Sequence, residues 1–299
     1  MASTSLSPAF RFFNRFSAVL LVVLAGCAFD YAQDKGADLG DRTERSFKLN
    51  SGGKVAIDHD RGSITLDGWE KNEVWVAVVK HYEGDSQYRD QWMRETQVTF
   101  DSQPDHLRVR VERPTWHVCF TGCNFHAWVD LTLHVPRHVA LEMTVDRNHV
   151  RASGLEGDIH IDADRSPIDL RDISGGFHIV SRRGAVAMRD VQAPGGLNVQ
   201  MERADVEIEG SRLTQGGEVH ADRGSVRLRL PESEKLSVEV ERDRRSNFHT
   251  DFPLQFSGNL SGYGRMRGQI NGGGPTLRLS ADRGSINLEK TFAKTGKMF

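Results

Sequence analysis

The densest chemistry in the chain lies in His117-Val118-Cys119-Phe120-Thr121-Gly122-Cys123-Asn124-Phe125-His126, where two thiols and two imidazoles fall within ten residues. Thiolate sulfur and imidazole nitrogen are both zinc ligands, so His117, Cys119, Cys123 and His126 form a candidate metal set. The competing chemistry is oxidation, with Cys119 and Cys123 closing a disulfide around Gly122. The chain has 3 cysteines. With Cys27 consumed elsewhere, the other two make an even pair, as expected outside the cytoplasm. Cys-x3-Cys is also a looser match to metal sites than paired Cys-x2-Cys elements. The disulfide is the preferred reading, the metal set is its alternative, and no cofactor is expected.

The third cysteine ends a different kind of signal. Arg11 and Arg15 supply a positive region, Phe16 to Leu24 a short apolar one, and Leu24-Ala25-Gly26-Cys27 follows. The apolar run is short for a membrane span, which needs about 20 residues. The ending resembles the bacterial lipobox, which implies cleavage before Cys27 and lipidation of its sulfur. Ala28 stands where an Asp would suggest retention at the inner membrane, so an outer-membrane anchor in the cell envelope is the expectation. Acyl chains contribute about 0.8 kcal/mol per buried methylene. Residues Asp30 to Arg45 are polar and aperiodic and read as a tether.

A third candidate is a series of arginines. Arg147, Arg165, Arg183, Arg203, Arg223 and Arg242 follow one another at intervals of 18, 18, 20, 20 and 19 residues, with Arg61 and Arg283 as outlying members. The unit around them is clearest in Ala221-Asp222-Arg223-Gly224-Ser225-Val226-Arg227-Leu228 and Ala281-Asp282-Arg283-Gly284-Ser285-Ile286-Asn287-Leu288. Stacked guanidiniums suit a polyanion such as an acidic polysaccharide or lipid phosphate. Like charges about 4.8 Å apart repel by roughly 3 to 4 kcal/mol at an effective dielectric of 20, so compensation is required. Asp60, Asp146, Asp164, Glu202, Asp222, Glu241 and Asp282 each precede one of these arginines. An acid–base ladder bracing the corners is therefore preferred over a ligand stripe.

Other chemistries find little support. No Ser-His-Asp arrangement, P-loop or dinucleotide fingerprint is visible. The 12 histidines are scattered, and His134, His138 and His160 carry no signal singly. Asp162, Asp164 and Asp169 are candidates for a polysaccharide-active enzyme needing two carboxylates about 5 to 9.5 Å apart, but such acids usually face solvent. The balance of 39 basic and 41 acidic residues, net charge -2, argues against nucleic acid as partner.

The elements that position these residues are strands. With 299 residues and 29 glycines, the chain has ample length for a core and many tight turns. Val55, Ile57, Ile64 and Leu66 alternate with polar residues, and Val74 to Lys80 reads as a more buried strand. Asp85 to Thr96, with Tyr88, Trp92 and Met93, suits a short amphipathic helix. Val98 to Val111 suggests a hairpin turning at Gln103-Pro104-Asp105. From Leu141 the repeat is regular: Met143 and Val145, Ile161 and Ala163, Ile179 and Ser181, Val199 and Met201, Val219 and Ala221, Val238 and Val240 precede the corners. Each arginine lies two residues beyond such a pair, so strict alternation places it on the core side of the strand. Gly-rich clusters such as Pro194-Gly195-Gly196 separate the copies, and Phe252 and Phe256 are candidates for capping an open end.

The expected architecture is all-β: a β-solenoid or β-roll of stacked 18-20-residue strand-turn-strand repeats, with an N-terminal sheet region carrying one short helix. The expected organisation is a lipoprotein signal peptide (1-26), a lipid-anchored tether (27-45), the N-terminal β-rich region (46-138), the repeat region (139-290) and a C-terminal tail (291-299).

The Arg-Gly-Ser-Val/Ile-x-Leu units, the approach Leu131-Thr132-Leu133-His134-Val135-Pro136, and Gly268-Gln269-Ile270-Asn271-Gly272-Gly273-Gly274 leading into Leu277 to Leu288 resemble a bacterial family of unknown function. That family is labelled "putative adhesin" and is built of β-strand repeats. The resemblance covers most of Phe47 to Leu288 and implies a β-solenoid-like fold at the envelope with no established catalytic residues. The Asp-Arg before Gly departs from the small polar residues expected there. The reading is a non-catalytic envelope lipoprotein with a structural or adhesive role. Outward residues such as Arg227, Arg229 and His220 would contact an envelope protein or anionic polysaccharide. A polysaccharide-active enzyme and a scaffold or sensor partner in envelope stress signalling are the alternatives.

Overall fold

Alternating aliphatic and polar residues give a chain made almost entirely of strands. The computed structural model describes residues 42–84, 86–114, 125–254, 257–258 and 264–291. All of these belong to one unit, Ala37–Phe299. Cys27, His117, Cys119, Cys123 and Phe256 lie outside the described residues.

The chain enters through β1 (Arg42–Lys48), β2 (Lys54–His59), β3 (Gly62–Trp69) and β4 (Glu73–Gly84). A 3-10 turn, Ser86–Tyr88, leads into α1 (Arg89–Glu95), the single α-helix among the described residues, then β5 (Gln97–Gln103), β6 (His106–Glu112) and β7 (Phe125–Pro136). The helix buries Trp92 and is held from β4, where Lys80 Nζ donates to the carbonyls of Met93 and Thr96 at 2.9 and 2.7 Å. Strands then come in pairs about a corner. These are β8 (Ala140–Asp146) and β9 (Asn148–Glu156), β10 (Ile159–Asp164) and β11 (Ile168–Ser174), β12 (Phe177–Ser181) and β13 (Val186–Arg189). The pairs β14 (Leu197–Met201) and β15 (Val206–Glu209), and β16 (Gly217–Arg223) and β17 (Val226–Pro231), complete the run. Last come β18 (Leu236–Thr250), β19 (Ser257–Gly258), β20 (Gly264–Ile270) and β21 (Thr276–Thr291).

All 21 strands join one hydrogen-bonded sheet. One flank runs β5-β6-β2-β8-β10-β12-β14-β16-β21-β18-β20, parallel from β6 to β18 and antiparallel at both ends. The other runs β1-β4-β7-β3-β9-β11-β13-β15-β17-β21-β18, parallel from β7 onward. Side chains of matching parity therefore align across strands. Met143, Ile161, Ile179, Val199, Val219 and Leu279 form one such file, each fully buried. Burial of each large aliphatic contributes about 1.5 to 3 kcal/mol, and these files are the main support of the sheet.

The corners depart from strict alternation, and with it the expected place of the arginines. Arg147 and Arg165 have φ of 53° and 55°, a left-handed turn that reverses side-chain direction. They point to solvent, and the next residues, Asn148 and Ser166, turn inward and are buried. Asn148 Nδ2 donates to the carbonyls of His59 and Asp146, while Ser166 Oγ donates to Asp164 O. Glycine follows Arg183, Arg223 and Arg283 where the corners touch: a Cβ on Gly284 would lie 1.9 Å from the carbonyl oxygen of Gly224.

Spatial order also differs from chain order near the end. β21 does not follow β18 in the stack; it lies between β16–β17 and β18. The register sets Arg242 opposite Ala281, and a shift between Arg242 and Arg245 sets Arg245 opposite Arg283. Arg245, not Arg242, thus stands beside Arg283 at the corner. Phe252 is buried after the end of β18.

Candidate functional site

The corner arginines share one edge of the sheet, and their partners are staggered. Asp146 accepts from Arg147 at 3.0 Å and from Arg165 at 2.7 Å. Asp164 accepts from Arg165 at 3.3 Å and from Arg183 at 3.2 Å. Each of these acids holds the arginine of its own corner and that of the next, so the pairing runs across copies as well as within them. Further along, Glu202–Arg203 and Asp222–Arg223 are separated by 3.8 and 3.9 Å and remain about half exposed. Pairs of that kind contribute between zero and about 1 kcal/mol.

The first corner is built differently. Asp60 is bound by Arg113 through two hydrogen bonds, so it is turned away from Arg61. Those bonds hold its carboxyl below the usual range, against burial, which pushes the other way. Beneath it His59 is buried. Its Nδ1 accepts the backbone N–H of Arg61 at 3.1 Å, which leaves Nε2–H to donate to Val129 O at 2.9 Å. Burial lowers its pKa to about 4, and the ring is a neutral strut between β2, the corner and β7.

On the outer face of the first flank, one file of polar residues runs Glu142, His160, His178, Asn198, Glu218 and Arg278 across adjacent strands. The imidazoles of His160 and His178 stack at 4.6 Å with 14° between planes. Together with Asp158, Asn198, Glu218 and Arg278 they line an open groove of about 720 Å³. This groove presents donors, acceptors and flat rings at strand spacing, which suits an extended polar chain rather than a compact substrate. Among the described residues no cluster of three or more His, Cys, Asp or Glu has metal-binding geometry; of the sequence-nominated metal set only His126 lies among them.

The outward residues of the second flank are less available than their sequence positions suggest. Arg229 is held by Glu207, Glu209 and Glu289 at 2.6, 3.5 and 3.1 Å, and the bond from Glu289 raises its already high pKa. Arg227 meets Glu289 at 3.4 Å, and His220 Nδ1 lies 2.8 Å from Ser280 Oγ on the first flank. These side chains join strands to each other.

No protein-family model matches the chain, and no curated protein matches it either. Its backbone is similar to solved structures, among them three that each cover 84% of this chain. A putative cell adhesion protein from Clostridium sporogenes is 12% identical, is covered over 100% of its length and gives a TM-score of 0.32. A putative adhesin from Bacteroides fragilis is 10% identical, covered over 97%, with a TM-score of 0.34. Another, from Parabacteroides distasonis, is 11% identical, covered over 98%, with a TM-score of 0.26. Likeness at this level carries no argument about activity.

Two of the acids nominated for glycoside chemistry are engaged. Asp164 is in the arginine ladder, and Asp169 pairs with Arg189 at 3.1 Å on the opposite flank. Asp162 lines an open cleft of about 660 Å³ with Asp58, Asp60, Asp146, Asp164 and Arg182. A general acid needs a raised pKa, whereas Asp60, Glu142, Glu156 and Glu232 are each held low, three of them chiefly by a hydrogen-bonded cation. One grouping was invisible in the sequence. Asp130 accepts from Ser63 N–H and Oγ–H, both at 2.8 Å, from Trp128 Nε1 at 3.3 Å, and pairs with His81 Nε2 at 2.9 Å. In a catalytic triad the imidazole sits between acid and hydroxyl. Here the carboxylate sits between, so Ser63 gains no base.

Proposed function

We propose that the chain is a non-catalytic, lipid-anchored protein of the bacterial cell envelope with a structural or adhesive role. Its paired strands form a β-solenoid carried on the tether after Cys27. The observation that supports this best is the parallel register of β2, β8, β10, β12, β14 and β16. It repeats one outward position across neighbouring strands about 4.8 Å apart, a surface matched to a periodic partner such as a glycan chain. The Leu24-Ala25-Gly26-Cys27 signal supports the anchor, with the outer membrane as its destination, and Cys119 with Cys123 supports an oxidising compartment.

Mass spectrometry of the mature N-terminus together with membrane fractionation tests the anchor, and binding of labelled protein to envelope polysaccharide and whole cells tests adhesion. An unlipidated Cys27 removes the first part; absence of binding to every envelope fraction removes the second. The polysaccharide-active alternative requires glycan turnover that disappears in Asp162→Asn.

A further inference from the structure

We infer that the cavity beside the first corner binds a carboxylate-bearing sugar residue of an acidic polysaccharide. The inference rests on the adhesive reading and gives it a ligand class and a place. The cavity, of about 430 Å³, is lined by Arg61, Ser63, His126, Trp128, Asp130 and Arg147, with Gly62 and Ala127 behind them.

Charge is the first argument. Arg147, Arg165, Arg183, Arg203 and Arg223 each have a carboxylate within 4.0 Å. Arg61 has none among the described residues, because Arg113 holds the acid that precedes it. Arg242 and Arg283 also lack one among the described residues, but Arg283 is exposed to water, and Arg242 is displaced from the corner, where Arg245 stands beside Arg283. Arg61 is half-buried and its Nε is buried with no acceptor among the described residues. Burial, then Arg113 and Arg147, pull its pKa below the ordinary arginine range. A desolvated guanidinium N–H without an acceptor is costly. A ligand carboxylate is the group that satisfies it, in bidentate form. Arg147 on the same wall shares Asp146, its one carboxylate among the described residues, with Arg165.

The second argument is the opposite wall. The indole of Trp128 is fixed against His81 at 4.8 Å and 8° and tied to Asp130 through Nε1. It has no second ring partner among the described residues. A rigid indole with one face committed offers apolar surface to the C–H face of a pyranose, while Ser63 Oγ beside it, its proton given to Asp130, can accept from a ring hydroxyl. At the floor, a Cβ on Gly62 would meet Val129 O at 1.8 Å, so glycine keeps the corner close against β7. Paired cations, a flat apolar wall and neighbouring hydroxyl partners together describe a uronate. An anionic bilayer fits less well, because the site is concave and includes Asp130 in its lining.

The test is calorimetric titration of the full chain in detergent with hexagalacturonate, maltohexaose and inorganic phosphate, for the wild type, Arg61→Gln, Trp128→Phe and Arg223→Gln. The expected result is binding of hexagalacturonate and not maltohexaose, weakened at least about tenfold by Arg61→Gln, the loss of one charge-assisted bond. Trp128→Phe, which keeps a ring, weakens it less, and Arg223→Gln leaves it unchanged. Equal binding by wild type and Arg61→Gln overturns the site, as does phosphate binding as tightly as the uronate. Retention of cell binding by Arg61→Gln assigns adhesion to another surface and sinks this site alone. Uronate binding by a wild type that ignores cells sinks the adhesive reading alone.

Discussion

Asp146 holds Arg165, 19 residues further along the chain, closer than it holds its own neighbour Arg147: 2.7 Å against 3.0 Å. Asp146 and Asp164, each beside an arginine in sequence, are therefore staples to the next corner. Asp146→Asn removes the acceptor of two guanidiniums and is expected to lower stability by about 1 kcal/mol. Arg223→Ala, whose pair is open at 3.9 Å, is expected to change it by no more than about 0.5 kcal/mol. Chemical denaturation of the two variants checks this, and equal losses would refute the staple.

Gly284 and Gly224 mark where corners meet. Gly284→Ala sets a Cβ 1.9 Å from backbone oxygen and is expected to cost more than about 3 kcal/mol or to abolish soluble expression. Gly272→Ala has open space around it at a φ of 87°, and its expected cost is about 1 kcal/mol of backbone strain. Gly284 also has a positive φ, 148°, so thermal melts of the pair compare close approach added to backbone strain with backbone strain alone.

His59 makes stability depend on acid. Burial lowers its folded pKa to about 4 from 6.5, so the unfolded chain takes up a proton first as pH falls. Stability is full above about pH 6.5 and declines between there and about pH 4, by on the order of 3 kcal/mol in total. The neighbouring Asp60 and Asp130 favour the proton and Arg113 opposes it. His59→Gln should flatten this part of the profile, measured by urea denaturation at pH 4.5 and 7; an unchanged slope would place the dependence elsewhere.

Arg242 keeps Nε buried with no acceptor among the described residues. Replacing it with Met removes that donor and keeps the apolar stem. The expected Tm of Arg242→Met equals or exceeds that of the wild type, whereas Arg165→Met lowers it. A fall for Arg242→Met similar to that for Arg165→Met would show that Arg242 is held after all.

The strands were legible because Val, Ile and Leu recur at every second position, and residues such as Ile161 and Ile179 need only that pattern to be assigned inward. The corners were not, because parity counts residues and cannot see a left-handed φ at Arg147 that turns Asn148 inward instead. The even spacing that led to Arg242 fails for a similar reason: a bulge before Arg245 shifts the register without disturbing the aliphatic pattern. The first-corner cavity was out of reach altogether. It depends on Arg113 displacing Arg61 from Asp60 across 53 residues, and no local signal records that choice.

The position of β21 bears on synthesis as well as shape. Strands β8 to β17 can stack in the order in which they emerge, each on a surface already made. β18 cannot, since the strand that joins it to β16 and β17 is translated after it. Until Thr291 has left the ribosome, β18 can pair only with β20, and the face of β17 that β21 will cover stays open. The last strand is a keystone: inserted late, it converts a growing stack into a closed one, and a chain halted just before it carries an unsatisfied edge open to other strands.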